Sequence, residues 1–195
     1  GGRGTFQRCH PGVLLELGIP VLYVTHSADE MTRLADKLVV MADGKVRREG
    51  PLAEVLADVK MPIETENGAS VVLSGKVSSL SSEWKTCCID AGGWTFETPT
   101  ASLAMSSQVR LRVLARDVSI AVEKPDSISI RNRLQAEVEE IVAHPSEPAY
   151  QLVKLKCPNG EGRLVSRILN QSVTELGLHP GSQVWALVKA SAVIM

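Results

Sequence analysis

Near its end the chain contains the stretch SQVWALVKASAV, from Ser182 to Val193. An earlier stretch, SQVRLRVLARDV from Ser107 to Val118, has the same pattern of a polar start, an apolar run and a final valine. LSGKV at 73–77 and LQAEV at 134–138 form a second matching pair in the same order. Two matching pairs indicate an internal repeat, so we expect two related units in the later part of the chain.

From residue 69 onward the pattern is that of an all-β region. The runs at 71–73, 75–77, 86–89, 94–96 and 109–113 are short, apolar and bounded by Ser-rich or Gly-Gly turns. The second repeat adds a long strand at 133–142, its return at 150–156, a short helix at 170–176 and a closing strand at 184–189. We therefore predict two small β-barrels in tandem. Asn170 is expected to cap the helix, and His144 to be an exposed turn residue.

The region 127–195 also concentrates groups that suit an oxyanion. Arg131 offers a fork of N–H donors that matches tetrahedral oxyanions, and Lys189 adds a point charge with three donors. Serines supply hydroxyl groups, and a small alanine lets a ligand approach its backbone N–H. The alternative, ordinary polar residues at strand ends, stays open at this point. The candidate set is Ser129, Arg131, Ser172, Lys189, Ala190 and Ser191.

The first third of the chain is different. Residues 1–12 are Gly-rich and aperiodic, which indicates a disordered or foreign start. We then expect a helix ending at Gly18, a buried parallel strand at 20–25, a helix at 28–38 capped by Ser27, and a strand at 39–42. Asp43-Gly44 predicts a hairpin turn, and residues 52–56 a short helix. This segment is predicted to be an α/β unit.

The amino-acid composition narrows the range of functions expected for the chain. The net charge is −1 and aromatic residues make up 4%, which disfavours nucleic-acid binding. The four cysteines are not spaced like a disulfide framework or a zinc site, so reduced thiols are expected. No His/Cys cluster accompanies the oxyanion candidates, so we predict no directly ligated metal cation.

Three motifs of the last 69 residues resemble a known family. The segments around Ser129-Ile130-Arg131-Asn132, Ile168–Ser172 and Lys189-Ala190-Ser191 are similar to those of the molybdate-binding Mop domain, a small barrel of the TOBE or oligonucleotide-binding (OB) type. The resemblance implies that these segments meet at subunit interfaces and hold molybdate or tungstate through the six candidate residues. Leu169 stands where the family has threonine, so one hydroxyl donor is missing.

A second resemblance covers roughly residues 14–56. The segments VTHSADE at 24–30, LADK at 34–37 and MADGK at 41–45 are similar to the end of an ATP-binding cassette (ABC) ATPase domain. The resemblance implies that His26 contacts the γ-phosphate and the attacking water. A phosphate loop, an LSGGQ signature and the Mg-binding carboxylates are missing from this sequence. We therefore expect ATP and Mg²⁺ to act only in an intact parent protein, and this chain alone to be inactive.

Together these resemblances predict part of the ATP-binding subunit of a molybdate or tungstate importer. The expected segments are 1–12, an ATPase fragment at 13–60, a linker at 61–69, a first OB-like barrel at 70–125 and a Mop domain at 127–195. The expected partners are a second copy, through the Mop domains, and a transmembrane permease, at the cytoplasmic face of the bacterial inner membrane. Two alternatives stay open: a stand-alone molybdate-binding or storage module, and purely structural dimerisation barrels.

Overall fold

The computed structural model describes residues 20–60, 62–63, 68–99 and 103–194. The predicted start at 1–12 and the helix ending at Gly18 lie outside these residues, as does most of the predicted linker. The described part begins with a helix, a two-stranded antiparallel hairpin and a second short helix. These elements are α1 (Ala28–Leu34), β1 (Lys37–Ala42), β2 (Lys45–Pro51) and α2 (Leu52–Leu56).

The predicted hairpin and helix cap are confirmed. Asp43 and Gly44 form the turn between β1 and β2 with φ of 53° and 70°, the left-handed conformation that such turns require. The Ser27 hydroxyl accepts a hydrogen bond from the Glu30 backbone N–H at the start of α1. The helix is shorter than predicted because the chain turns after Leu34 to begin β1 at Lys37.

The prediction of a buried strand at 20–25 is wrong. These residues have no regular secondary structure, and Leu22 and Val24 are 90% and 91% exposed. A buried parallel strand requires neighbouring strands and helices on both faces. In the described ranges, the sheet of this part of the chain contains β1 and β2 alone, and residues 20–25 pair with neither.

The rest of the chain forms two five-stranded antiparallel sheets, as the predicted pair of OB-like barrels requires. The first repeat supplies β3 (Ser70–Ser81), β4 (Thr86–Ala91), β5 (Trp94–Pro99), β6 (Gln108–Leu114) and β7 (Val118–Ala121). The second repeat supplies β8 (Asn132–Ala143), β9 (Tyr150–Lys156), β10 (Arg163–Leu169), α3 (Asn170–Glu175), β11 (Gln183–Val188) and β12 (Val193–Ile194).

The two repeats exchange their last strands. The strand order is β12-β6-β3-β4-β5 in one sheet and β10-β9-β8-β11-β7 in the other. Thus β7 of the first repeat pairs with β11, and β12 of the second repeat pairs with β6. A short 3₁₀ turn precedes each exchanged strand, at Ala115–Asp117 and Ala190–Ala192. The matching stretches 107–118 and 182–193 therefore form equivalent crossings between the sheets.

A single hydrophobic core joins the two sheets. It contains fully buried side chains from both repeats, including Phe96, Leu111, Leu152 and Leu164. The glycine-containing turns of the two repeats also meet: the Gly162 backbone N–H donates to the Gly92 carbonyl oxygen at 2.8 Å. The glycine-containing turns, the shared core and the exchanged strands all connect the two repeats. The repeats therefore form a tightly joined pair.

Two details of the second repeat differ from expectation. His144 is buried rather than exposed, and its Nδ1 accepts a hydrogen bond from the Glu147 backbone N–H at 3.2 Å. Leu169, not Asn170, is the N-cap residue of α3, and the Asn170 amide instead donates to the Pro148 carbonyl oxygen at 2.7 Å. Both side chains stabilise the 144–149 turn, a role that the local sequence pattern does not reveal. Gly177 ends the helical turn with a φ of 59°, the left-handed conformation that favours glycine.

Among the described residues, Cys88 and Cys157 are free thiols. None of the helices within the described ranges is long and apolar enough to cross a bilayer.

A surface ion pair of the second sheet gives a pH-dependent prediction. The hydrogen bond from Lys156, and then that from Gln183, lower the pKa of Glu137 below its ordinary value. The folded protein therefore binds a proton less readily at this site than the unfolded chain. The resulting stabilisation is present above the ordinary glutamate pKa, about 4.3, and is lost as the pH falls through the lowered folded pKa.

We expect Glu137→Gln to lower the melting temperature slightly at pH 7, because surface pairs contribute little. The difference from wild type should vanish as the pH falls through the lowered pKa of Glu137 in the folded protein. Thermal melts from pH 7 to pH 3 measure it, with the exposed turn carboxylate Glu83→Gln as the control. A melting-temperature difference that stays constant over this range would contradict the expectation.

Candidate functional site

The pairing of β8 with β11 brings two of the predicted donor segments together. In this antiparallel ladder Asn132, the first residue of β8, pairs with Val188, the last residue of β11. Arg131 precedes Asn132 and Lys189 follows Val188, so the two cationic residues lie side by side at the same end of the sheet. Ala190 begins the adjacent 3₁₀ turn.

Asn132 fixes this end of the sheet against the first repeat. Its side chain is buried, its Oδ1 accepts from the Glu97 backbone N–H at 2.6 Å, and its Nδ2 donates to the Glu97 carbonyl oxygen at 3.0 Å. These two bonds satisfy both backbone groups of one β5 residue. In addition, the Thr98 hydroxyl donates to the Ala190 carbonyl oxygen at 3.3 Å. Strand β5 therefore holds both donor segments in place.

Arg131 has an acidic partner from the first repeat. Its Nε donates to Glu97 Oε2 at 2.9 Å, while its side chain remains 63% exposed and that of Glu97 is 24% exposed. The contact uses the Nε atom of the guanidinium group and leaves most of the side chain exposed. Glu97 is not recognisable from the sequence as part of the site, because no local motif marks it and it lies 34 residues from Arg131 along the chain.

The remaining donors of this cluster are accessible. Ser129, Lys189 and Ser191 are exposed, and their side chains form no hydrogen bond or ion pair with the rest of the described chain. The cluster thus combines two cations, two free hydroxyl groups and a small residue at a turn. These groups can donate several hydrogen bonds to an anion, and in the described ranges no group of His, Cys, Asp and Glu could bind a metal cation directly.

Ser172 lies elsewhere in the same chain. It belongs to α3, which follows the end of β10 where Leu169 pairs with Tyr150. That end of the ladder is next to Ala143, the last residue of β8, whereas Arg131 precedes its first residue. No polar contact within the described part of the chain joins the Ser172 side chain to Arg131 or Lys189. Leu169 is half-exposed beside α3.

The equivalent end of the first repeat buries the two residues that correspond to Arg131 and Lys189. There the ladder pairs Val71 with Val113, as Asn132 pairs with Val188 in the second repeat. Ser70, which corresponds to Arg131, is buried, and Leu114, which corresponds to Lys189, is also buried. Without exposed donors and without a cationic pair, this end of the first repeat has no comparable anion cluster among the described residues.

The surroundings of His26 contain fewer polar contacts than those of the anion cluster. It is exposed and belongs to the irregular segment that precedes α1. The adjacent Thr25 hydroxyl accepts from the Ser27 N–H at 3.0 Å, and it also bonds the Glu30 carboxylate. His26 precedes α1, and no polar contact within the described residues joins it to the anion cluster.

Comparison with known proteins identifies similar sequences. A model of the TOBE domain family matches residues 128–195. The Molybdenum import ATP-binding protein ModC of Methylococcus capsulatus is 38% identical over 179 residues, which is 92% of this chain and 49% of the relative. The ModC of Pseudomonas fluorescens is 39% identical over 182 residues, and that of Pseudomonas aeruginosa 40% over 181, with the same coverage. The chain thus spans about half the length of the curated relatives it matches.

A solved structure is also similar. It is the cytoplasmic molybdate-binding protein ModG in a form with molybdate bound. The TM-score is 0.54 at 28% sequence identity, over 63% of this chain and 92% of ModG. The likeness confirms the predicted fold of tandem OB-like barrels.

Proposed function

Because this chain is a relative of the molybdenum import ATP-binding proteins and carries a TOBE domain at residues 128–195, we propose that its second repeat binds molybdate or tungstate. The binding groups come from Arg131, Lys189, Ala190, Ser129 and Ser191. The module regulates or dimerises an importer's ATP-binding subunit.

One observation carries this proposal: the β8–β11 ladder places Arg131 beside Lys189, and both are exposed. A tetrahedral dianion needs several convergent N–H and O–H donors and positive charge to replace its hydration shell. A guanidinium fork, an ammonium group and two hydroxyl groups meet this requirement. The structural likeness to a molybdate-bound protein supports the choice of anion. Molybdate and tungstate share charge and nearly share size, so the same donors accept both.

Ser172 enters the proposal through a second copy of the chain. Its helix lies beyond the other end of β8, so it can complete an anion site if the α3 end of one copy meets the Arg131 end of another. This arrangement makes the homodimer the binding species. Anion binding then favours one dimer arrangement, which biases whether the attached ATPase domains can close.

The larger assembly is part of the same proposal. The parent protein would contain an ATPase domain ending near residue 60, a linker at 61–69, a first barrel at 70–125 and the binding domain at 127–195. ATP and Mg²⁺ would bind in that parent, where His26 would position the attacking water. A transmembrane permease at the cytoplasmic face of the inner membrane would be its partner.

Titration calorimetry of molybdate into the chain tests the binding proposal, with sulfate as the anion control. Arg131→Ala should weaken molybdate binding about tenfold to a hundredfold, because a charge-assisted hydrogen bond contributes about 1.5–3 kcal/mol. The matched control is Arg47→Ala, which removes another exposed arginine that also forms an ion pair, with Asp43 on the N-terminal hairpin. This variant should bind molybdate as wild type does.

The alternative functions are outcomes of the same experiment. Saturable binding with an oligomeric state that does not respond to molybdate would favour a storage or sensor module. No heat with either anion, for a chain that sedimentation shows to be folded and dimeric, would overturn the binding proposal. The half-exposed Leu169, which stands in place of a hydroxyl donor, would then explain a purely structural role for the barrels.

A further inference from the structure

We propose that Glu97 of the first repeat lowers the affinity of the site for the oxyanion, because its carboxylate stays beside Arg131 and repels the anion. This inference rests on the proposed function, because it concerns the same site. Its starting point is the ion pair between Arg131 Nε and Glu97 Oε2 at 2.9 Å.

The position of Glu97 is set by its backbone rather than by its charge. The Asn132 side chain holds the Glu97 N–H and carbonyl groups at 2.6 and 3.0 Å, and the neighbouring Thr98 is bonded to Ala190. These bonds fix the Glu97 Cα beside the anion cluster whether or not Arg131 is paired. The carboxylate therefore stays close to the donors and to any anion that binds them.

Two opposite effects of this carboxylate must be compared. It orients Arg131 through one hydrogen bond, and it repels an incoming dianion. An exposed ion pair contributes little, so the loss of orientation should cost less than about fivefold in affinity. A dianion bound to the other edge of the same guanidinium group would lie on the order of 6 Å from the carboxylate. In a water-like dielectric at low ionic strength, repulsion at this separation weakens binding about tenfold.

The repulsion therefore exceeds the orienting effect, and the net role of Glu97 is inhibitory. The opposing charge comes from β5, so the first repeat sets the affinity of a site whose donors all belong to the second repeat. The first repeat thus acts on the site, although the equivalent end of the first repeat has no anion cluster of its own.

The test is titration of sodium molybdate into the full chain carrying Glu97→Gln. Glutamine keeps the length of the side chain and removes its charge. Because the lost orientation offsets part of the lost repulsion, we expect the dissociation constant to fall by more than about twofold and by up to about tenfold relative to wild type. The matched control is Glu139→Gln, which removes a carboxylate of similar exposure that also accepts from an arginine Nε, that of Arg163, at 2.6 Å. This control has the same change in net charge and should leave the affinity within about twofold of wild type.

Several outcomes are decisive. If Glu97→Gln binds molybdate as wild type does, or more weakly, Glu97 does not inhibit binding. The proposed function would still stand, because wild type binds molybdate. An equal gain in the Glu139→Gln control would also overturn the inhibitory role of Glu97, because net charge alone would then explain the gain. If wild type and both variants bind no molybdate, the proposed function fails and the inference fails with it. Thermal melts of each variant establish that all three proteins are folded.

Discussion

Gly162→Ala is expected to lower the free energy of unfolding by about 4 kcal/mol. A Cβ built on Gly162 would lie 2.5 Å from the Gly92 carbonyl oxygen and 3.0 Å from two more Gly92 backbone atoms. The obstacle is backbone, so no side chain can rotate away. Relief requires the two turns to separate, which breaks the 2.8 Å hydrogen bond between the Gly162 N–H and the Gly92 carbonyl oxygen. Overpacking and a lost buried hydrogen bond each cost about 1–3 kcal/mol.

Denaturant unfolding measures this loss, and Gly177→Ala provides its control. Gly177 has a φ of 59° but nothing within 4 Å of a built Cβ. That variant tests backbone strain without crowding, and we expect it to cost about 1–2 kcal/mol. If Gly162→Ala cost no more than Gly177→Ala, the turns would not be in the close contact described above.

Phe96→Ala should have a similarly large effect, about 3–5 kcal/mol. The Phe96 side chain is fully buried in the core shared by both repeats. Its ring meets that of Trp94 edge to face, with centroids 6.4 Å apart and an interplanar angle of 86°. Its removal loses the burial of the ring, leaves a cavity and removes this aromatic contact. Since the surrounding strands belong to two sheets, the cavity cannot close without moving both.

The same denaturant experiment measures the loss, with Trp84→Ala as the matched aromatic truncation. Trp84 is 72% exposed on the turn between β3 and β4, and its loss should change stability by less than about 0.5 kcal/mol. Comparable losses from the two truncations would show that Phe96 is not part of a well-packed core.

The sequence predicts much of the β-region because its signals are local. The matching stretches 107–118 and 182–193 identify the repeat, and their crossings are equivalent in the structure. Asp43-Gly44 specifies its hairpin turn through backbone conformation alone. The predicted strand at 20–25 fails for the opposite reason: an apolar run becomes a strand only where other strands are available to pair with it.

The candidate site likewise contains some residues that the sequence reveals and others that it does not. Arg131 and Lys189 are recognisable by their chemistry, and the β8–β11 register places them together. Glu97 and the structural role of Asn132 depend on contacts between residues 35 positions apart, so no pattern in either segment predicts them. The separation of Ser172 from Arg131 follows from strand order, which alternation of polar and apolar residues does not specify.

The exchange of β7 and β12 determines how this chain can be divided. A piece cut before Ser127 would keep β7 without the β11 that it pairs with, and its β6 would lose β12. The piece from Ser127 onward would lose β7, which pairs with β11 in its sheet. Unpaired strand edges bind other strands, so either piece would tend to trade strands with a second copy. The smallest portion that can be transplanted or duplicated as a self-contained fold is therefore the pair of repeats, and a single repeat is only half of such a unit.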